Sequence, residues 1–218
     1  MRQKKSYNKK ATWLPEYINS THNIIPAIYI PILESEIQKA TSKFPNWKSP
    51  GIDLIQNFWW KKFSSLHKIT TAILNNMVEP NITPQWLTKG RTTLVAMKKE
   101  TQDPSNYHPI TCLPVIYKIH TNVITSRITH HIETNNIIPP EQKGNSTNTF
   151  GTIDQLLINK MIQEDAEKRK KNLSKRIDYR KAFDSVPHDW IIDTLKIHKF
   201  DVTITNFFET TMKIGKHH

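Results

Sequence analysis

Apolar side chains recur at helical spacing along most of this chain, and that pattern predicts its elements. Before residue 34 no such period exists. Basic and polar residues surround the run IIPAIYIPI, whose prolines forbid a long helix, so residues 1–33 are expected to form a flexible arm with an extended piece. Glu34 to Phe44 reads as a short amphipathic helix with Ile37 and Ala40 inward, closing before Pro45. NWKSPGID follows as a Ser-Pro-Gly turn, and beyond it Ile55, Phe58, Trp59, Phe63, Leu66 and Ile69 keep helix spacing, as a packed helix pair would. One of the neighbours Trp59 and Trp60 is expected in the core, although adjacent tryptophans also suit base stacking.

The period changes at residues 91–97, where RTTLVAM is rich in β-branched and apolar residues and predicts a strand. KKETQDPSNYHP after it has the polar residues and prolines of a loop, and the two together predict a projecting arm. Ile116, Ile119, Val123, Ile124, Ile128 and Ile132 mark a long helix ending near Asn135, before Pro139 and Pro140. Ile153, Leu156, Leu157 and Met161 mark another, with AEKRKKN at the end where cations suit the helix dipole. Leu173 to Tyr179 reads as a short strand, and Asp189 to His198 and Val202 to Met212 as two final helices. Helices far outnumber strands, which predicts an α+β protein with a small sheet.

Charge adds a partner to this picture. Lys and Arg number 31 against 19 Asp and Glu, a net charge of +12 spread along the chain, which favours polyanions and above all nucleic acid. The single cysteine, Cys112, excludes an internal disulfide and a Cys-rich zinc site. It reads as a buried thiol in an intracellular protein, nuclear or cytoplasmic. No apolar run is long enough for a membrane span, and the basic N-terminus lacks the apolar stretch of a secretory signal, so no membrane partner is expected. His130 and His131 are neighbours that point in different directions on a helix, a poor metal pair.

Candidate chemistry centres on IDYRKAFDSVPH, residues 177–188. Taken alone, an Asp after an apolar residue is more often a turn former or helix cap than a metal ligand. The whole segment, however, resembles the first catalytic motif of the non-LTR, LINE-type retrotransposon reverse transcriptases over a dozen residues without a gap. NWKSPGID, DPSNYHPITCLPVIYKI, PPEQKG and DQLLINK resemble blocks of the same family in the same order. The resemblance implies a mostly helical fingers region, residues 34–172, followed by an incomplete palm of the right-hand polymerase fold, residues 173–218. It implies that Asp178 is catalytic and a ligand of Mg2+, that the Tyr179 carbonyl assists, and that Phe183 lies beneath the incoming sugar and excludes a 2′-hydroxyl. Lys98, Arg91 and His108 become candidates for holding the triphosphate. The implied partners are an RNA template, a DNA primer and deoxynucleotide triphosphates, and the implied reaction is template-directed deoxynucleotide addition by two-metal phosphoryl transfer.

Three departures qualify that expectation. His108 stands where the family has an arginine, and a histidine carries charge only when protonated. Met97 stands where the family has a lysine, so Lys98 is expected to slip into its role. No Asp-Asp pair follows Asp178, so the second metal-binding motif is missing and the chain is expected to be a truncated fragment, inactive alone. The competing expectations are a non-catalytic, basic nucleic-acid-binding remnant and a relic without function.

Overall fold

The helical periods of the sequence become eight helices and one hairpin among the described residues, which in this computed structural model are 6–78, 82–96, 102, 107–144, 151–171 and 185–214. In order they are α1 (Leu14–Ser20), α2 (Glu34–Lys43), α3 (Asn57–Lys62), α4 (Leu66–Asn76), a 3-10 turn at Gln85–Thr88, β1 (Arg91–Ala96), β2 (Tyr107–Cys112), α5 (Val115–Thr134), α6 (Thr152–Lys168), α7 (His188–Ile197) and α8 (Val202–Ile214). The expected α+β class is observed. Met1–His131 and Pro187–His218 make one compact unit, and Ile132–Val186 make a second.

α5 organises the first unit because it is buried along two stripes. Ile116, Ile119 and Val123 face a core shared with Ile37 of α2 and Leu74 of α4, while Ile124 on the adjacent stripe meets Ile204 and Phe207 of α8. A helix apolar on two sides fits between layers and not on a surface. Its adjacent histidines separate as helix geometry requires: His130 is exposed and His131 is buried, its Nε2 2.8 Å from the His198 carbonyl.

Extended residues 24–33 lack a helix or sheet to satisfy their backbone, and two side chains supply what is missing. The Asn75 side chain accepts from the Ile32 N–H at 2.6 Å and donates to the Ile32 carbonyl at 3.0 Å. Arg127 donates to the Ile30 carbonyl and to the Pro31 carbonyl at 3.1 Å. The same guanidinium grips Glu36 through two bonds, Nε to Oε1 at 2.9 Å and Nη2 to Oε2 at 2.6 Å. Burial works against ionisation of Glu36, but the bonds from Arg127 and from the Leu33 N–H hold its carboxyl below the ordinary value. Asn75→Ala is expected to cost about 2 kcal/mol, since it strands a backbone donor and acceptor. Urea unfolding followed by tryptophan emission measures it, and a loss below about 0.5 kcal/mol would show that solvent satisfies Ile32 equally well.

The arm expected at residues 1–33 carries α1, begun by Pro15 in its first turn, and its Ala27 N–H donates to the Lys199 carbonyl at 2.9 Å. Three expectations about packing are corrected. The stripe through Ile55, Trp59, Phe63, Leu66 and Ile69 is exposed, at 42 to 60 %. The chain breaks between α3 and α4, and α4 turns the neighbouring stripe of His67, Thr70 and Leu74 inward. The polar members of that stripe bond locally, His67 Nε2 to the Trp60 carbonyl at 2.8 Å and Thr70 to the Leu66 carbonyl at 2.8 Å, so their burial is inexpensive. Trp60 packs partly buried against the core, as expected of one of the tryptophan pair. In the second unit Ile153, Leu156, Leu157 and Met161 of α6 are exposed, and only Ala166 of that helix is buried. Cys112 is half-buried at the end of β2 and not a core thiol.

No helix among the described residues is long and apolar enough to cross a membrane. The strand expected at Leu173 to Tyr179 lies outside the described residues.

Candidate nucleic-acid interface

The expected arm is a hairpin. β1 pairs with β2 antiparallel, with Arg91 opposite Cys112, Thr93 opposite Ile110 and Val95 opposite His108. β2 falls in a stretch expected to be loop, because Tyr107 to Pro109 read as turn residues. Proline is tolerated there because β2, with one partner among the described residues, is an edge strand. Both strands are largely exposed.

Directly opposed residues of an antiparallel pair share a face, and alternate residues along a strand return to it. Arg91, Val95 and His108 therefore lie on one face of the hairpin. Arg91 and His108 are about 13 Å apart along it, four residues at about 3.3 Å each. The opposite face carries Thr92 and Thr111, whose hydroxyls are 2.9 Å apart. Lys98 follows β1 but lies outside the described residues, as do Asp178, Tyr179 and Phe183. Of the six candidate site residues the structure thus describes two, and it brings those two to one face.

Close backbone approach seats the hairpin base. A Cβ on Gly51 would lie 2.3 Å from the Pro114 nitrogen and 2.5 Å from the Leu113 carbonyl carbon. A Cβ on Gly90 would lie 2.2 Å from the Thr111 methyl. The NWKSPGID turn is thereby pressed against the junction of β2 and α5, and Arg91 Nη2 donates to Ser49 Oγ at 3.0 Å. Ser49 had no place among the expected site residues. The Ser-Pro-Gly turn was its signal, since a glycine there implies that something approaches closely.

His188, the last residue of IDYRKAFDSVPH, begins α7. The carboxylates that follow it line a cavity of about 350 Å³ with Lys196 and Lys213. Each carboxylate is engaged. Asp189 accepts from Ser6 Oγ at 2.5 Å, Asp193 accepts from the Tyr7 hydroxyl at 2.7 Å and pairs with Lys9 at 3.0 Å, and Glu209 pairs with Lys213 at 2.7 Å. The hydrogen bond from Ser6 lowers the Asp189 carboxyl. At Asp193 burial opposes ionisation, but Tyr7 and Lys9 prevail and the carboxyl is lowered. The bond to Asp193 pushes the Tyr7 phenol up to about 12. All three carboxylates are held ionised, whereas acid–base catalysis needs two titratable groups pushed apart. This arrangement is a clamp fixing the segment after Asp178 to the N-terminus, reinforced by edge-to-face contact of Trp190 with Tyr7 at 4.8 Å and with Trp13 at 5.7 Å.

Among the described residues no grouping of His, Cys, Asp and Glu could hold a metal ion.

Comparison with known proteins identifies the lineage. Residues 97–218 match the family described as reverse transcriptase (RNA-dependent DNA polymerase). The chain is 28% identical over 201 residues to the retrovirus-related Pol polyprotein from type-1 retrotransposable element R2 of Popillia japonica, covering 86% of this chain and 26% of that protein. It is 30% identical over 173 residues to a probable RNA-directed DNA polymerase from transposon BS of Drosophila melanogaster, covering 76% of this chain and 18% of that protein. A probable RNA-directed DNA polymerase from transposon X-element of the same fly is 28% identical over 162 residues. The chain spans about a quarter or less of the length of these relatives. The matched region contains the whole of IDYRKAFDSVPH together with DPSNYHPITCLPVIYKI, PPEQKG and DQLLINK, and the chain belongs to the reverse transcriptase family, in its non-LTR retrotransposon branch.

Proposed function

We propose that this chain is the fingers and first palm segment of a retrotransposon reverse transcriptase, and that it does not polymerise by itself. The observation that carries this reading is the family match across IDYRKAFDSVPH, supported by a hairpin that presents Arg91 and His108 on one face. In this reading residues 34–172 are fingers and 173–218 are palm. Lys98, Arg91 and His108 hold the phosphates of an incoming deoxynucleotide, a substrate whose constant part is its charge. Phe183 packs under the sugar, and Tyr179 lends its carbonyl. A divalent ion, Mg2+, would be held by Asp178 with carboxylates from elsewhere in the parent enzyme, supplying charge stabilisation for phosphoryl transfer between primer and triphosphate on an RNA template.

Primer extension on an RNA template by the purified chain tests the inactivity, with Asp178→Ala as control. No product above that control is expected. Robust extension abolished by Asp178→Ala would overturn it. The net charge of +12 favours a second reading, a non-catalytic binder of nucleic acid. That reading requires RNA affinity that falls steeply with salt, and absent or salt-independent binding in a filter assay would remove it.

A further inference from the structure

Four aromatic rings meet on the outside of the first unit. Trp47 stacks on Phe58 with centroids 4.6 Å apart and planes at 18°. Phe58 meets Trp59 edge to face at 5.1 Å, and Trp59 stacks on Phe63 at 5.7 Å and 10°. Rings in such an array would ordinarily be a core, yet Trp47 is 65% exposed, Phe63 49% and Trp59 47%. One face of Trp47 lies on Phe58, so the exposure of this ring belongs mainly to its other face, which is open to a further flat group.

The array is held rigidly from beneath. Asn57, buried at the start of α3, donates to the Thr41 carbonyl at 3.1 Å and the Phe44 carbonyl at 2.9 Å. The Phe58 N–H donates to the Asn46 carbonyl at 3.2 Å, and Trp60 turns toward the core. With α3 fixed on that side, Trp59 and Phe63 are presented outward without a loss of backbone freedom on binding. Contiguous exposed apolar surface of this kind marks an interaction site.

Charge states what the partner is. Residues 44–68 hold Lys48, Lys61, Lys62 and Lys68 against one acid, Asp53. The Lys62 ammonium stands 5.8 Å over the Phe58 ring, and Arg91 donates to Ser49, two residues beyond Trp47. Cations bordering open ring faces suit a chain of flat bases joined by phosphates. A duplex fits poorly, because its base faces are stacked on one another.

We propose that Trp47, Phe58, Trp59 and Phe63 form a stacking platform for single-stranded nucleic acid, with Lys48, Lys61 and Lys62 tracking its backbone. The platform binds without reading sequence, because every base offers a π-face. It is independent of polymerase chemistry and holds whether or not the chain extends a primer.

The test is a titration of the full chain with labelled single strands of about 15 nucleotides, oligo(U) and oligo(dT), and with a duplex of equal length, over a range of salt. Trp47→Ala with Trp59→Ala is expected to weaken single-strand binding about 30-fold while leaving the salt slope and duplex binding unchanged. Lys61→Ala with Lys62→Ala is expected to reduce the salt slope by about 1.4, at about 0.7 per phosphate on a single strand. Trp47→Phe is expected to retain affinity within about threefold, since a ring remains. Preference for oligo(U) over oligo(dT) would assign the platform to RNA, and the reverse to DNA, both being the proposed chemistry. Loss below about twofold in the double tryptophan variant, with its far-UV circular dichroism unchanged, would overturn the proposal, as would equal loss on the duplex. So would sedimentation showing that the tryptophans mediate self-association of the chain while strand binding persists.

Discussion

Gly51→Ala is expected to destabilise the first unit by about 3 kcal/mol, among the larger effects open to a single methyl group. An alanine at an unconstrained glycine stabilises by about 0.4–1 kcal/mol through the unfolded chain. Here the added carbon would meet three backbone atoms within 2.7 Å: the Pro114 nitrogen and α-carbon and the Leu113 carbonyl carbon. A side chain could rotate away. Backbone at the start of α5 cannot, because Val115, Ile116 and Ile119 immediately behind it are buried in the core. Relief must come from separating the NWKSPGID turn from the hairpin base, which also breaks the Arg91–Ser49 bond. Gly144→Ala is the control, since its nearest neighbour is the Gln142 side-chain nitrogen at 3.5 Å. Urea midpoints for the two variants should differ widely, and a Gly51→Ala midpoint equal to wild type would show that the turn stands clear of α5.

Acid is expected to weaken the first unit before most carboxylates titrate, and the responsible group is His120. Its ring is fully buried on α5, 4.5 Å from the Phe207 ring, and neither nitrogen has a hydrogen-bond partner among the described residues. Burial, aided by the nearby Arg127 charge, lowers its pKa to about 4. The folded value lies below the unfolded one, so the unfolded chain binds the proton more readily. Stability is complete above about pH 6.5, falls as pH drops below that value, and has lost the full increment near pH 4. The interval from 6.5 to about 4 corresponds to about 3 kcal/mol. Glu36, Asp189 and Asp193 are lowered as well, from ordinary values that already lie below that of a histidine, so their contributions are present above those values and are lost only as pH falls lower still. His120→Leu is expected to flatten the profile between pH 7 and 5. It should also raise stability at pH 7 by about 1 kcal/mol, because it removes buried polar atoms that bond to nothing. An unchanged acid profile in His120→Leu, or a histidine resonance at this site titrating near its ordinary value, would refute the assignment.

Which parts of this architecture were legible depended on whether period or partnership decided them. α2, α5, α7 and α8 have apolar spacings that name their buried faces, and they lie within a few residues of expectation. α3, α4 and α6 have the same kind of spacing, yet Ile69, Leu156 and Met161 remain exposed. Periodicity says that one side differs from another, not that anything covers it. In α4 the core chose a stripe containing His67 and Thr70 because their polar atoms find local carbonyls, a compensation invisible to a hydropathy count. β2 was hidden by Tyr-His-Pro, turn-forming in isolation and acceptable only because both strands are edges. The motif at 177–188 was legible as ancestry from residue identity alone. What Arg91 and His108 share, one face of a hairpin, required the register.

The clamp at Asp189 and Asp193 also constrains how the molecule is made. Ser6 and Tyr7 find their partners 183 and 186 residues later, and residues 132–186 form a unit of their own in between. A ribosome releasing the chain from its N-terminus therefore exposes the first strand-and-helix segments long before α7 exists to receive them. The inserted unit must be looped out, at an entropic cost that grows only slowly with its length, but the delay is fixed by synthesis itself. Until α7 and α8 emerge, Ile124 lacks the Phe207 side of its core. Completion of the first unit thus comes late relative to the emergence of its N-terminal part, and during that wait its apolar surfaces depend on whatever else in the cell can shield them.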